Sequence, residues 1–229
     1  MKKMLDLYSG LGGASQAFVD DGWEVVRIEN NPIMGDVENT IVDDVLRLRD
    51  LLTMVTGGMS EDELHSMHRS CPWDVGMMGE KLPFYDFIWA SPPCDEFSTA
   101  KTWAQGRTAN PSLDLFLAGL DIIHILQPTY WCIENVVGAI RHFEPYVGEP
   151  RQIVGPFVFW GNYPYLTNMQ DFQHRKRDHD SWSSDPLRSN KKAKLPLELS
   201  QSFLEEIKSQ RRLTEWCSID NIRHHDHCE

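Results

Sequence analysis

Short apolar runs that end on glycine, proline or an acidic residue alternate along this chain with stretches whose apolar positions recur at helical spacing. Met4-Leu5-Asp6-Leu7 leads into Tyr8-Ser9-Gly10-Leu11-Gly12-Gly13 and then Ala14-Ser15-Gln16-Ala17-Phe18, which reads as a strand, a glycine turn and the start of a helix. Glu24-Val25-Val26-Arg27-Ile28 predicts a second strand ending at Glu29, and Asn39 to Val45 a third, ending near Asp43 and Asp44. Leu46 to Val55 is helical in pattern until Gly57-Gly58 breaks it, and Ser60-Glu61-Asp62-Glu63 has capping-box spacing for another helix. Cys71 through Gly79 reads as loop.

Tyr85 to Trp89 is a short apolar, aromatic-rich run that predicts a buried strand, and it ends on Ala90-Ser91-Pro92-Pro93-Cys94. Asn110-Pro111-Ser112 opens a packing helix with Leu113, Phe116, Leu117, Leu120, Ile123 and Leu126 on one face, stopped by Gln127-Pro128. Tyr130 to Ile133 predicts a strand ending at Glu134-Asn135-Val136, and Ile153 to Trp160 another, followed by Gly161-Asn162. Leu195 to Ser200 runs into a helix through Ile207, and Arg211-Arg212-Leu213-Thr214 leads to a final short helix. Strands alternating with helices predict a doubly wound α/β sheet.

The chain has 229 residues, enough for one α/β domain with a full core, so a single domain over 1–229 is expected. No apolar run approaches the roughly 20 residues that span a bilayer. Met1-Lys2-Lys3 runs too directly into the glycine loop to be a secretory signal, and an odd count of five cysteines does not suggest a disulfide framework. These features predict a soluble, cytoplasmic protein without a membrane partner.

Three strand ends carry candidate chemistry. A glycine turn between strand and helix lets backbone approach a nucleotide-like ligand, and an acidic residue about 20 positions on, here Glu29, would accept from both hydroxyls of a ribose. No Lys-Ser or Lys-Thr pair follows the glycines, so a phosphate-binding P-loop is not supported. Asp44 would either accept from the exocyclic amine of an adenine or cap the following helix. Pro92-Pro93 stiffens the turn that holds Cys94 at the carboxyl end of its strand, where open α/β sheets bind ligands. Glu134 puts a carboxylate at a neighbouring kind of strand tip. His65 and His68 lack partner ligands and no metal site is expected; His224-His225-Asp226-His227-Cys228 reads as a frayed terminus.

The glycine loop from Asp6 to Gly13, Pro92-Pro93-Cys94 with Phe97-Ser98, and Glu134-Asn135-Val136, in that order and each after a predicted strand, resemble the cytosine-C5 DNA methyltransferase family, in particular its short phage-type or prokaryotic members. Asp95 stands where the family usually has glutamine. The resemblance implies a class-I, Rossmann-like methyltransferase fold and methyl transfer from S-adenosylmethionine to C5 of cytosine in DNA. Cys94 would be the thiolate that adds to C6, and Glu134 the acid at the Watson–Crick edge, for which burial should raise its pKa. Arg151 would steady the base and the catalytic loop, or else be a surface arginine. Tyr8, Ser9, Gly10, Gly12, Gly13 and Pro92 would line the cofactor, with Glu29 at the ribose and Asp44 at the adenine.

The net charge of −12 opposes a polyanionic partner unless a basic footprint is local. Residues 163–194 supply one, with Arg175, Lys176, Arg177, Lys191 and Lys192 as phosphate contacts, in a segment too short for much base-specific readout. It would act as a reduced target-recognition segment, which suggests a helper protein or oligomer for target choice. Residues 195–222 would pack back on the core. Two other readings stay open: the same chemistry on RNA or a free cytosine nucleotide, and a catalytically inactive cofactor-binding regulatory module.

Overall fold

A computed structural model describes residues 1–57, 82–97, 111–169, 172 and 184–223, with the backbone alone for 211–223. The chain runs β1 (Lys3–Leu7), α1 (Gln16–Asp20), β2 (Glu24–Glu29), a 3-10 turn (Pro32–Asp36), β3 (Thr40–Val42), α2 (Val45–Thr56) and β4 (Phe87–Ala90). It continues through α3 (Asp114–Leu126), β5 (Tyr130–Val136), a 3-10 turn (Val137–Ala139), α4 (Ile140–Val147), β6 (Gln152–Val154), β7 (Phe157–Asn162), α5 (Arg188–Ala193) and α6 (Leu197–Arg223).

The strands form one sheet in the order β3-β2-β1-β4-β5-β7-β6. Neighbours from β3 to β5 are parallel, while β7 runs antiparallel to both β5 and β6. This strand order, with its one antiparallel strand, is typical of the class-I methyltransferase fold that the sequence predicts. All four residues of β4 are buried, as expected of a strand covered on both faces. One face packs Leu48, Leu51 and Leu52 of α2, Phe116 and Ile123 of α3 and Phe143 of α4. The other packs Phe18 of α1 with Leu199, Phe203 and Ile207 of α6.

The chain winds outward from β1 to β3 and then crosses to β4 on the other side of β1. That reversal opens a crevice at the carboxyl ends of β1 and β4, where ligands bind in such sheets. Register aligns the tips: Leu7 lies opposite Ile28 and Ala90, and Ala90 opposite Ile133. The glycine loop, Glu29, the Cys94 loop and Glu134 therefore leave the sheet in one row.

Three expected boundaries change. The run Ile153 to Trp160 is not one strand but a hairpin, because Gly155-Pro156 turns the chain at a positive φ of 58° for Gly155. The third strand is only Thr40–Val42, since Asp44 accepts from the Leu46 amide and starts α2. The C-terminal segment is one 27-residue helix rather than two, with no glycine or proline between Ile207 and Arg223 to break it. The expected helix after Ser60, the Cys71–Gly79 loop, His65, His68, Asn110 and the His224–Cys228 stretch lie outside the described residues.

Candidate active site

The β1 tip turns sharply. Tyr8, Gly10 and Gly12 all adopt left-handed φ, at 60°, 51° and 68°; glycine meets this without cost, while Tyr8 does not. Tyr8 is held by its phenol donating to the Leu115 carbonyl at 2.5 Å, and the Ser9 amide donates to Ile28 O at 3.0 Å. Glu29 accepts from the Gly10 amide at 2.8 Å and the Asn31 amide at 3.0 Å, one on each carboxylate oxygen. Each oxygen keeps a further lone pair, so Glu29 braces the loop and still can accept from a ligand. Asp44 is the exposed N-cap of α2, close enough for its charge to push the Tyr8 hydroxyl pKa further up, beyond the effect of burial.

Beneath the loop lies a buried polar network that pattern reading does not reveal. Arg27 is 1% exposed and donates to Ser15 Oγ at 2.9 Å, Glu38 O at 2.8 Å, and Gly12 O and Gln16 Oε1 at 3.4 Å each. Ser15 Oγ in turn donates to Asp6 at 2.5 Å. Burial pushes the Asp6 pKa up to about 6, against the pull of Ser15 and the Arg27 charge. A Cβ on Gly12 would lie 2.5 Å from the guanidinium carbon, so that glycine allows the loop to rest on the arginine. Gly13 serves a different approach: a Cβ there would meet the Leu195 carbonyl oxygen at 2.6 Å. The buried Ser200 hydroxyl of α6 donates to Ala14 O at 2.6 Å and accepts from the Ala17 amide at 3.2 Å, joining the C-terminal helix to this loop.

These residues fit an adenosyl cofactor. Ser9 Oγ is buried in the loop with no partner among the described residues. Gly10 leaves space between the loop and Asn190 of α5, 3.8 Å from where a Cβ would stand. Such an unsatisfied hydroxyl, exposed backbone and a nearby carboxylate are what a ribose and an amino-acid tail require.

At the β4 tip, Pro92 is buried and its carbonyl accepts from Asn135 Nδ2 at 2.9 Å, while the Phe97 amide donates to Cys94 O at 3.0 Å. Phe97 is buried against Phe143, and its carbonyl passes where a Cβ on Gly138 would come within 2.0 Å. Asn135 and Gly138 thus clamp both ends of the Cys94 turn. Asn135 stands inside a recognised tripeptide and could have been assigned this role; Gly138 gives no signal before the turn is seen. Cys94 itself is half-buried and takes part in no disulfide.

Glu134 follows Ile133, which is opposite Ala90, and so faces Ser91 from the neighbouring strand. It is half-buried, and loss of water around its carboxyl raises its pKa to about 7, with a hydrogen bond from Ser91 pulling the other way. Cys132, two residues earlier, is fully buried and its thiol pKa is raised well above the ordinary value, so it stays neutral.

Arg151 is exposed at the start of β6, with its guanidinium 5.3 Å from the Tyr163 ring centre. Its amide bonds Phe159 O, and Phe159 is the register partner of Glu134, so Arg151 lies two strands from the acid. Lys191 pairs with Asp185 at 2.6 Å, which reduces the local charge offered to a polyanion; Lys192 is exposed on α5. Arg175, Lys176 and Arg177 lie outside the described residues. Among those described, no group of three metal-ligating side chains occurs, and no helix is long and apolar enough to cross a membrane.

A family model described as C-5 cytosine-specific DNA methylase matches residues 72–149, a span holding both the Cys94 and the Glu134 motifs. The chain is 27% identical over 141 residues to the type II methyltransferase M1.HphI of Haemophilus parahaemolyticus, covering 60% of this chain and 33% of that protein. It thus spans about a third of the length of this curated relative. Among solved structures, it is similar to a prophage protein of Escherichia coli described as a DNA modification methyltransferase, with TM-score 0.39, 18% identity, and 71% of this chain and 47% of that one covered. It is also similar to the methyltransferase EhMeth of Entamoeba histolytica, with TM-score 0.41, 13% identity, and 79% and 58% covered.

Proposed function

We propose, from the match of residues 72–149 to the C-5 cytosine-specific DNA methylase family model, that this chain transfers a methyl group from S-adenosylmethionine to C5 of cytosine in DNA. The observation that carries the proposal is the placement of the Cys94 loop and Glu134 at the ends of adjacent parallel strands, with the Glu134 pKa raised to about 7 by burial. Cys94 as thiolate adds to C6 of the base, and the electron pair displaced from the C5–C6 double bond is drawn toward N3. Glu134 delivers its proton there, so that C5 becomes an enamine carbon able to attack an electrophile. S-adenosylmethionine, when bound, supplies an electrophilic methyl group on sulfur. Once C5 carries the methyl group, with the donor's sulfur leaving as a neutral thioether, the C5 proton leaves to a base, the double bond reforms, Cys94 departs as thiolate, and the N3 proton returns to Glu134.

Tyr8, Ser9, Gly10, Gly12, Gly13, Glu29, Asp44 and Pro92 would hold the cofactor, in a crevice that the loop geometry leaves open. A cytosine within a duplex cannot reach Cys94, so the base is flipped or presented in a single strand. Arg151 would steady the extruded base or the catalytic loop. Arg175, Lys176, Arg177, Lys191 and Lys192 would contact phosphates, with a helper protein or a second copy adding target choice.

The test is transfer of labelled methyl from S-adenosylmethionine to duplex DNA, single-stranded DNA, RNA and cytosine nucleotides, with Cys94→Ala alongside. Label at cytosine C5 of DNA that depends on Cys94 supports the proposal. Label only in RNA or nucleotides reassigns the substrate, and cofactor binding without transfer to any carrier favours a regulatory module.

A further inference from the structure

The β4 strand carries a polar feature that the reaction above does not use. Trp89 is fully buried, yet its indole N–H donates to Ser91 Oγ at 2.6 Å. The ring cannot turn away, because it is packed edge-on against Phe203 of α6 at 4.8 Å, Phe159 of β7 at 5.9 Å and Phe87 at 6.1 Å. Ser91 is fixed at its backbone too, its amide donating to Leu7 O at 3.2 Å. Side chains two apart on a strand share a face, so Trp89 and Ser91 lie beside Cys132 and Glu134 of β5, in a register where Trp89 is opposite Cys132.

We infer that Trp89 and Ser91 form a positioning relay for Glu134: the indole N–H occupies one lone pair of the Ser91 hydroxyl, which leaves the hydroxyl proton to be donated to the Glu134 carboxyl group. A serine hydroxyl has one proton and would otherwise rotate among acceptors. With its oxygen engaged by Trp89, the proton has one productive direction. The relay rests on the reading of Glu134 as the group that protonates the base.

Burial pushes the Glu134 pKa up, and a hydroxyl that donates to the carboxylate favours the ionised form and pulls it back. The opposing effects leave the acid able both to give up a proton and to regain one at neutral pH. The other titratable groups on its own and the flanking elements are Cys132 on its own strand, Cys94 on the β4 loop, Arg151 ahead of β6 and Tyr163 after β7. The thiol of Cys132 and the phenol of Tyr163 are kept neutral by burial. Among the described residues, burial and Ser91 account for the position of the Glu134 titration.

The experiment follows Glu134 ionisation directly, by carboxyl carbon-13 resonance in glutamate-labelled full-length protein, assigned by its loss in Glu134→Gln. Ser91→Ala is expected to move the midpoint upward by about one unit, the value of one hydrogen bond to a charged carboxylate. Trp89→Phe, which keeps the ring packing and removes the N–H, moves it the same way by less, and Ser91→Thr restores the parent midpoint. In active protein the alkaline limb of kcat/KM moves with the midpoint. Should Ser91→Ala fail to fold, Trp89→Phe and Ser91→Thr carry the same contrast. A parent-like midpoint in Ser91→Ala and Trp89→Phe, or a downward shift in either, overturns the relay. The titration needs neither DNA nor cofactor, so absence of methyl transfer with the shifts intact defeats the proposed reaction and leaves the relay standing.

Discussion

At the β1 and β2 tips the ligand-facing loop rests on buried charge, whereas at the β4 and β5 tips it rests on backbone clamps. Arg27, Ser15 and Asp6 fill the space under the glycine loop, and Glu29 ties the loop from its outer side. Among the described residues, the Cys94 turn has no such charged floor: Asn135 holds Pro92, and Gly138 makes room for Phe97. Buried ions are costly to leave unpaired, so the first arrangement resists distortion strongly. The second leaves Cys94 half-buried and Glu134 near neutrality, which suits the proposed admission of a base and cycling of a proton.

Breaking the charged floor should have the larger effect on stability. Arg27→Met removes the counter-charge of Asp6 and the donors to Gly12 and Glu38, and is expected to destabilise by about 3–5 kcal/mol in chemical denaturation. Cofactor affinity by calorimetry should fall with it. Parent-like stability would show that the guanidinium is not the floor of the loop.

On the other side, Gly138→Ala sets a methyl group against the Phe97 carbonyl and must displace the Cys94 turn. The expected loss in turnover is about 100-fold, the scale of an ångström-sized misplacement of a reacting group, with cofactor affinity preserved. Equal losses of cofactor binding in both variants would erase the distinction between the two halves of the crevice.

Glu134→Gln sharpens the contrast through pH. The parent carboxyl has a folded pKa of about 7 against 4.5 unfolded, so its contribution is fully present below 4.5 and lost as pH rises through 7. Glutamine does not titrate. The variant should therefore gain about 1–3 kcal/mol relative to the parent between pH 5 and pH 8.5. Thermal unfolding at the two pH values measures this, and a constant difference would refute the raised pKa. Asp6 shifts the same way with a folded pKa of about 6, but Arg27 and Ser15 oppose its desolvation.

The smallest effect is expected at Lys191→Ala. Its ion pair with Asp185 is exposed, so Tm should not move measurably. Any role in polyanion binding would show instead as a shallower salt dependence of DNA affinity.

The two halves also differ in how far their residues declared themselves in the sequence. Gly10, Gly12 and Glu29 announce a nucleotide-like site because the turn and the acid have a known spacing. Arg27 gives no such signal, since a charged residue in a strand reads as facing solvent, and only the sheet shows the cavity behind the loop that receives it. Gly13 looked like a ligand residue and also makes room for Leu195, a contact nearly the whole chain away. At β4 and β5 the tripeptides with Cys94 and Glu134 were readable, and the register that aligns them follows from the doubly wound order. Ser91 and Trp89 were not, because a hydrogen bond between side chains two apart on a strand leaves no periodic trace. The β6–β7 hairpin was hidden by continuous apolar character on both sides of Gly155-Pro156, and the long C-terminal helix by charged residues that resemble a break.

The most direct test is covalent capture. Purified protein, S-adenosylmethionine and duplex or single-stranded DNA containing 5-fluorocytosine should give a denaturant-stable adduct, because fluorine at C5 cannot leave as a proton does and Cys94 is then not expelled. Peptide mass analysis should place the DNA on Cys94, and Cys94→Ala should give none. An adduct on another residue, or its persistence in Cys94→Ala, would contradict the assignment of the nucleophile; no adduct from cofactor-bound protein on either DNA would contradict methyl transfer to cytosine C5.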